Sequence, residues 1–308
     1  MKLLLTGAWR EAGEHIARLE ALGCDVLFQQ NESDPLISGA RSVEGIVCND
    51  LFRHHHINEF PLLRFIQLTS AGFDRVPMDE IRERGITIYN AVGVYSAPMA
   101  EYAVCAVLQF YKHTRFFAQN QEKHLWEKHR DLSELGGKTV CIVGCGNVGR
   151  ECAKRFSAFD CRVIGVDLSP VASGYFSDIF PADRLKEAVA TSDVIVLCLP
   201  LTDNTRHIID QEIVSAMKQG AVLVNIARGG LIDVAALTSA LTAHRIYAAL
   251  DVFETEPLSA DSPLWDMDNV LITPHNSFVG DSINERLSAL VLRNLDNEQR
   301  SHQTTDGK

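Results

Sequence analysis

The 308-residue chain predicts an α/β fold built on parallel sheets and long enough for two domains. Three observations carry this reading. Short apolar, β-rich runs alternate with amphipathic stretches almost throughout. The runs are apolar at consecutive positions rather than at every second one, as strands covered on both faces require. They also fall into two series, separated by one long helical segment.

The first series is "KLLLT", "CDVLFQ", "GIVCN", "RFIQLTS" and "ITIYN", within residues 2–90. Between these runs lie two helix patterns, "EAGEHIARLEALG", stopped by Gly23, and "DEIRERG", stopped by Gly85. The segment from Pro98 to about Glu134 follows, and its first half, "PMAEYAVCAVLQFYKHTRFFAQN", predicts one helix of several turns with a proline near its start. It is the expected bridge between domains. The second series is "TVCIVG", "CRVIGVD", "DVIVLCLP", "AVLVNIA", "IYAALDV" and "NVLITPH", within residues 139–275. Its helix patterns include "DQEIVSAMKQG", stopped by Gly220, and "DVAALTSALTA", with Asp233 as N-cap. A last helix is expected over about 281–296, followed by a polar, frayed tail, "NEQRSHQTTDGK".

Composition excludes several classes. The net charge of −11 comes with no basic patch, which argues against nucleic acid as a partner. Apolar runs reach only about seven residues, too few for a membrane-spanning helix. The start, "MKLLLTGAW", reads as a first strand rather than a signal peptide. The eight cysteines lie mostly inside apolar runs, without a CxxC pair or zinc spacing, so reduced thiols in a cytoplasmic protein and no metal site are expected.

Chemistry concentrates in the second series. "TVCIVGCGNVG" carries Gly144, Gly146 and Gly149 in GxGxxG spacing, after a strand and at the opening of a helix pattern that turns Val148, Cys152, Ala153 and Phe156 inward. In a dinucleotide site the first glycine permits the tight turn, the second lets backbone approach a pyrophosphate, and the third lets helix and strand pack closely. The helix N-terminus offers free N–H groups to the phosphates. The next strand ends in Asp167, eighteen residues beyond Gly149, where a carboxylate accepts from ribose hydroxyls and repels a 2′-phosphate. No Arg follows in "DLSPVAS", so NAD is expected in preference to NADP.

Ligands of open α/β sheets bind beyond the carboxyl ends of the strands. There the second series places Arg228 after "AVLVNIA", Asp251 and the acidic loop "ETEP" after "IYAALDV", and His275 after "NVLITP". Arg228 can fork onto a carboxylate and polarise the neighbouring carbonyl. His275 can pass a proton to or from an alkoxide. A glutamate beside it favours the imidazolium, and the loop offers both Glu254 and Glu256. The set suits hydride chemistry on a 2-oxo acid. Gly229 and Gly230 are expected to turn the backbone away without crowding the ring or the substrate.

With "LPLTDNTRHII", "VNIARGGLID", "ALDVFETEP" and "TPHNS", and with "LTSAGFD" and "MAEYAV" earlier, the chain resembles the D-isomer-specific 2-hydroxyacid dehydrogenases over almost its whole length. The resemblance implies a Rossmann-type, doubly wound NAD domain (96–280) and a flavodoxin-like substrate domain (1–95 with 281–308). It makes Arg228, Glu256 and His275 catalytic, choosing Glu256 over Glu254 by position. It puts Ser70, Ala71 and Gly72, with Arg228, on the substrate carboxylate. It assigns Gly144, Gly146, Asn147, Val148, Gly149, Asp167, Leu199, Pro200, Thr205, Ala227 and Asp251 to the cofactor, Asp251 near the nicotinamide amide. It also implies a homodimer, with the long helix and the arm around Trp126 as contacts. Two departures stand out: Cys141, where the family often has glycine, and Asp160 in "SAFDCRV", where glycine is common. The same fold serves NAD-binding corepressors, which are the alternative reading. Specificity is expected from "NDLFRHHHIN" (49–58), where Arg53 or one of His54–His56 would favour a polar or anionic tail, with Phe52, Tyr95 and Phe278 as further walls. The three histidines themselves are expected to form a solvated loop rather than a metal site.

Overall fold

The two strand series form two separate sheets in a computed structural model that describes residues 1–168 and 174–305. The chain divides into two compact units, 1–95 with 280–308, and 96–279.

In the first unit β1 (Lys2–Thr6), α1 (Ala12–Ala21), β2 (Asp25–Gln29), β3 (Gly45–Cys48), β4 (Phe65–Leu68), α2 (Met78–Glu83) and β5 (Thr87–Tyr89) give a sheet of order β2-β1-β3-β4-β5. Its pairings are all parallel. This is the flavodoxin-like order. Leu3, Leu4 and Leu5 are fully buried on consecutive positions, the two-faced burial that the run predicted. Each such side chain contributes roughly 1.5–3 kcal/mol.

The second unit opens with α3 (Ser96–Tyr111) and α4 (Thr114–Glu122). These replace the single expected helix. His113 takes a left-handed backbone (φ 48°), which no right-handed helix can continue through, and its ring stacks on His129 at 4.0 Å. Then follow β6 (Thr139–Val143), α5 (Asn147–Ser157), β7 (Arg162–Asp167), β8 (Asp178–Pro181), α6 (Leu185–Thr191), β9 (Val194–Leu197), α7 (Gln211–Ala216), β10 (Ala221–Asn225), α8 (Val234–Thr242), β11 (Ile246–Leu250) and β12 (Val270–Ile272). The sheet runs β12-β11-β10-β9-β6-β7-β8, all parallel, which is the Rossmann order with a seventh strand. The order reverses between β6 and β9, and that switch point is where ligands bind in such sheets.

Two elements went unread in the sequence, β8 and α6, and α7 stops earlier than expected. The Arg245 guanidinium bonds the Val214 and Met217 carbonyls and closes that helix from outside. Asp233 caps α8 as expected, its carboxylate accepting from the Ala235 and Ala236 N–H groups. Asp160, the departure from glycine, sits at φ 59°, a left-handed position where glycine is the residue of least strain. Cys141 is fully buried in β6.

The chain returns to the first unit in α9 (Ile283–Thr305), which packs Leu287, Leu290, Val291 and Leu295 against Leu3, Leu5 and Phe65. The frayed tail expected from 297 onward is a correction: the helix runs on to Thr305. The Tyr89 hydroxyl donates to Glu298 at 3.0 Å, and the Gln299 amide donates to the Leu22 carbonyl, tying the polar stretch down. Residues 306–308 of that tail, and most of "DLSPVAS" (169–173), lie outside the described residues. Among the described residues no helix is long and apolar enough to cross a membrane.

Candidate active site

The fingerprint stands at the switch point. β6 delivers the chain into Gly144, at φ 98°, whose N–H bonds the Val166 carbonyl at 2.8 Å. A Cβ on Gly144 would lie 2.7 Å from the Leu199 N, so the turn after β6 and the end of β9 touch backbone to backbone. A Cβ on Gly149 would lie 2.0 Å from the Gly144 carbonyl oxygen, the close packing of helix on strand. Gly146 differs from both, because a Cβ there would meet nothing within 4 Å. Its missing side chain serves no internal packing and leaves an open cradle before the N-terminus of α5. That fits a pyrophosphate held by backbone N–H groups. Asn147 is exposed and Val148 half-buried at the same end. Asp167 ends β7 beside this turn, and its Oδ2 accepts the Cys145 N–H at 2.7 Å. The carboxylate therefore braces the glycine turn.

Leu199 is half-buried and Pro200 exposed at the end of β9. Thr205, expected at the cofactor, is buried, and its hydroxyl closes the local turn on the Pro200 carbonyl at 2.8 Å. Ala227 is also buried, and its carbonyl accepts from the Arg228 Nη1 at 2.8 Å.

Arg228 follows β10 in extended backbone. Asn225, fully buried in the strand, fixes this exit: its side chain accepts the Ala227 N–H at 3.1 Å and donates to the Arg228 carbonyl at 2.9 Å. A lone amide inside "AVLVNIA" was the sequence signal for this role. Gly229 has a reason within the chain itself. A Cβ there would sit 1.9 Å from the Phe253 carbonyl carbon and 2.2 Å from the Glu254 N. The glycine makes room for the loop after β11.

That loop separates the two candidate glutamates. Glu254 pairs with Arg206 at 3.1 Å and His207 at 3.5 Å. Glu256 Oε2 lies 2.9 Å from His275 Nδ1, while its Oε1 accepts the Phe253 N–H at 3.0 Å. The carboxylate is thus held from behind and aimed at the imidazole. Because a carboxylate only accepts, Nδ1 carries the hydrogen and Nε2 is left for another partner. The two side chains are 35% and 37% exposed, so the pair is reachable. Phe278 stands edge-on to the imidazole at 5.9 Å.

Asp251, expected beside a nicotinamide amide, is fully buried. Its Oδ1 accepts from the Thr273 hydroxyl at 2.5 Å and the Asn276 N–H at 2.7 Å, and its Oδ2 accepts the Ser277 N–H at 2.9 Å. Both oxygens are engaged by the loop that carries His275.

In the first unit, Ser70, Ala71 and Gly72 follow β4. The Ser70 carbonyl accepts the Ala91 N–H at 2.8 Å, the Ala71 carbonyl accepts from the Asn90 amide at 2.6 Å, and the Gly72 carbonyl accepts from the Ser70 hydroxyl at 3.2 Å. In a trans peptide the N–H points opposite to the C=O. Fixing the first two carbonyls therefore turns the Ala71 and Gly72 N–H groups the other way, as anion-binding peptides require. The histidine loop after β3 diverges: His54 faces Asp50 at 3.8 Å, His55 faces Glu59 at 3.7 Å, and His56 faces Glu80 at 3.7 Å. Arg53 stands near Asp50 at 3.6 Å. Phe52 packs edge-on against Phe60, and the Tyr95 hydroxyl donates to the Thr69 carbonyl. Among the described residues no group of three His, Cys, Asp or Glu is placed to hold a metal ion.

Residues 104–277 match the family described as D-isomer specific 2-hydroxyacid dehydrogenase, NAD binding domain. The glyoxylate reductase of Thermofilum pendens is 32% identical over 292 residues, covering 88% of this chain and 84% of that protein. The (S)-sulfolactate dehydrogenase of Chromohalobacter salexigens is 30% identical, covering 88% and 91%. A crystal structure of a D-isomer specific 2-hydroxyacid dehydrogenase family protein from Aeromonas salmonicida superposes with a TM-score of 0.82 at 29% identity, covering 96% of each chain. The two named relatives are enzymes, which disfavours the corepressor-like alternative.

Proposed function

Because the chain belongs to the D-isomer specific 2-hydroxyacid dehydrogenase family, and is thereby an NAD-dependent 2-hydroxyacid oxidoreductase, we propose that Arg228, Glu256 and His275 carry its reaction on a small 2-oxo acid or D-2-hydroxy acid. The observation that carries this reading is the 2.9 Å contact of Glu256 with His275, in the unit that also holds the fingerprint. When bound at the fingerprint, NADH supplies the hydride. Arg228 forks onto the substrate carboxylate and polarises the adjacent carbonyl. In the first unit, the Ala71 and Gly72 N–H groups are backbone donors of the kind a substrate carboxylate takes. His275 gives the forming alkoxide a proton from Nε2 and takes it back in the reverse direction. Glu256 holds Nδ1 and offsets the imidazolium charge. Asp167 favours NAD over NADP by repelling a 2′-phosphate.

Loop 49–58 supports a polar or anionic tail through Arg53. The unpaired thiols suit a reducing, cytoplasmic setting, and Trp126, 98% exposed, supports a homodimer built on its arm. The test is NADH absorbance with pyruvate, glyoxylate, hydroxypyruvate and 2-oxoglutarate. Turnover with at least one is expected, and His275→Ala should lower it by roughly 100-fold or more. Tight NADH binding with no turnover of any 2-oxo acid would overturn the proposal. Equal rates with all four would remove the role of Arg53.

A further inference from the structure

His275 stands at φ 51°, in the left-handed region. A non-glycine residue keeps such a conformation only where its surroundings over-determine it. Here the surroundings are explicit. The His275 N–H bonds the Asp251 carbonyl at 2.7 Å and the Thr273 carbonyl at 3.0 Å. The Asp251 carboxylate takes the next two N–H groups, of Asn276 and Ser277, so both sides of the turn close on one buried residue. A third bond to that carboxylate comes from the Thr273 hydroxyl. A threonine hydroxyl has one hydrogen, and this bond uses it. The Tyr102 hydroxyl, 2.8 Å from Thr273 Oγ1, is therefore the donor of the remaining contact. Burial, the largest influence on it, pushes the Tyr102 phenol up to about 12, so it keeps its hydrogen at any working pH.

We propose that Tyr102, Thr273 and Asp251 form a positioning relay, running from α3 to the strand-end turn, that locks His275 in its left-handed conformation and sets the direction of its imidazole. The relay gives the buried carboxylate a task within the chain itself. It rests on the reading of His275 as the proton donor, but its direct readout does not depend on turnover.

The experiment compares Thr273→Val, which removes the hydroxyl at nearly constant volume, with Thr273→Ser, which keeps it, and with Tyr102→Phe, which cuts the far end. Each variant is measured for kcat, KM, NADH affinity by tryptophan quenching, melting temperature, and the 15N–1H signals of the His275 ring without cofactor. Thr273→Val should lower kcat by about tenfold or more, the scale of a slightly misplaced catalytic group. Its NADH affinity should hold, and its His275 signals should move. Thr273→Ser should restore both, and Tyr102→Phe should fall between. Wild-type His275 signals and kcat in Thr273→Val, with His275→Ala inactive, would overturn the relay and leave the catalytic reading standing. An active His275→Ala with displaced signals in Thr273→Val would do the reverse. Loss of NADH affinity in step with kcat would also overturn the relay, since the hydroxyl would then act on the cofactor. If Thr273→Val does not fold, Tyr102→Phe decides alone by the same signals.

Discussion

Replacing Gly229 with alanine should damage the site through the loop after β11. The added Cβ would stand 1.9 Å from the Phe253 carbonyl carbon and 2.2 Å from the Glu254 N, whereas ordinary contact begins at 3.4 Å. The obstructing atoms are backbone, so no rotamer change relieves the clash. The loop must retreat by the difference between 3.4 and 1.9 Å, about 1.5 Å. Phe253 is the residue whose N–H holds Glu256 Oε1, so the retreat draws the carboxylate off the His275 ring. Overpacking of this kind costs about 1–3 kcal/mol, which at roughly 2–4 °C per kcal/mol lowers the melting temperature by about 2–12 °C. Misplacing a catalytic group by 1 Å lowers turnover by up to about 100-fold. The assay is calorimetry together with kcat/KM from NADH absorbance, with Gly230→Ala as the internal control. A Cβ at Gly230 meets the Leu201 Cδ2 at 3.0 Å and the Leu201 Cδ1 and Arg206 Nη1 at 3.4 Å, ends of side chains that can give way. Wild-type stability and activity in Gly229→Ala, or greater harm from Gly230→Ala, would refute the reasoning.

Three further predictions concern the charged and buried groups. Arg228→Lys keeps the charge but loses the planar fork, so kcat/KM should fall by about tenfold or more, the scale of a lost charge-assisted hydrogen bond; steady-state kinetics that match the wild type would reduce Arg228 to a strand-end charge. Asp167→Ala combined with Leu168→Arg, at a side chain 82% exposed, should raise the NADPH-to-NADH preference and weaken NADH binding, because the Cys145 N–H also loses its acceptor; a wild type that already prefers NADPH in a coenzyme titration would contradict the role given to Asp167. Stability should also decline in alkali. Burial pushes the Cys141 thiol and the Tyr102 and Tyr111 phenols up to about 12. The unfolded chain then releases these protons first, so this stability is intact below about pH 8.5, where free thiols begin to ionise, and is lost as pH climbs toward 12. Melting temperatures that stay flat from pH 8 to 11 would contradict it.

What the sequence displayed was whatever repeats a physical constraint in neighbouring positions. Strands buried on both faces must be apolar at every residue, so "KLLLT" and "AVLVNIA" could be read directly. A chain that turns under a helix N-terminus must drop its side chains at fixed spacing, so the fingerprint could be read as well. Strand β8 could not, because "DIFP" lies at the sheet edge with its side chains half-buried or exposed and carries no apolar run. The break at His113 was hidden because its cause is a tertiary contact, the stack on His129, rather than a helix-breaking residue. The length of α9 was hidden for the same reason: a polar stretch frays unless something holds it, and the holders are Tyr89 and Leu22. In the site, charge and strand ends pointed to Arg228 and His275. Whether Glu254 or Glu256 faces the histidine depended on the fold of a four-residue loop, and residue types carried no sign of it.

The structure gives that loop its shape by joining three strand ends. The His207 N–H bonds the Gly230 carbonyl at 2.9 Å, Ile209 bridges Ile232, and Phe253 lies on Gly229. Glu254 adds its pairs with Arg206 and His207, but these side chains are 43–53% exposed, and such pairs contribute only about 0.2–1 kcal/mol. The backbone contacts must therefore do most of the holding, with Glu254 trimming the loop and leaving Glu256 to the histidine. Two glutamates two positions apart thus have separate tasks: a straight extended segment would send both to one side, and the bends over 254–257 turn them to different partners. The exits of β9, β10 and β11 are fastened to one another rather than each to its own strand alone, and the His275 N–H ties the exit of β12 to the Asp251 carbonyl after β11. A substitution that loosens any one fastening should consequently be felt at His275 before it is felt in the stability of the sheet.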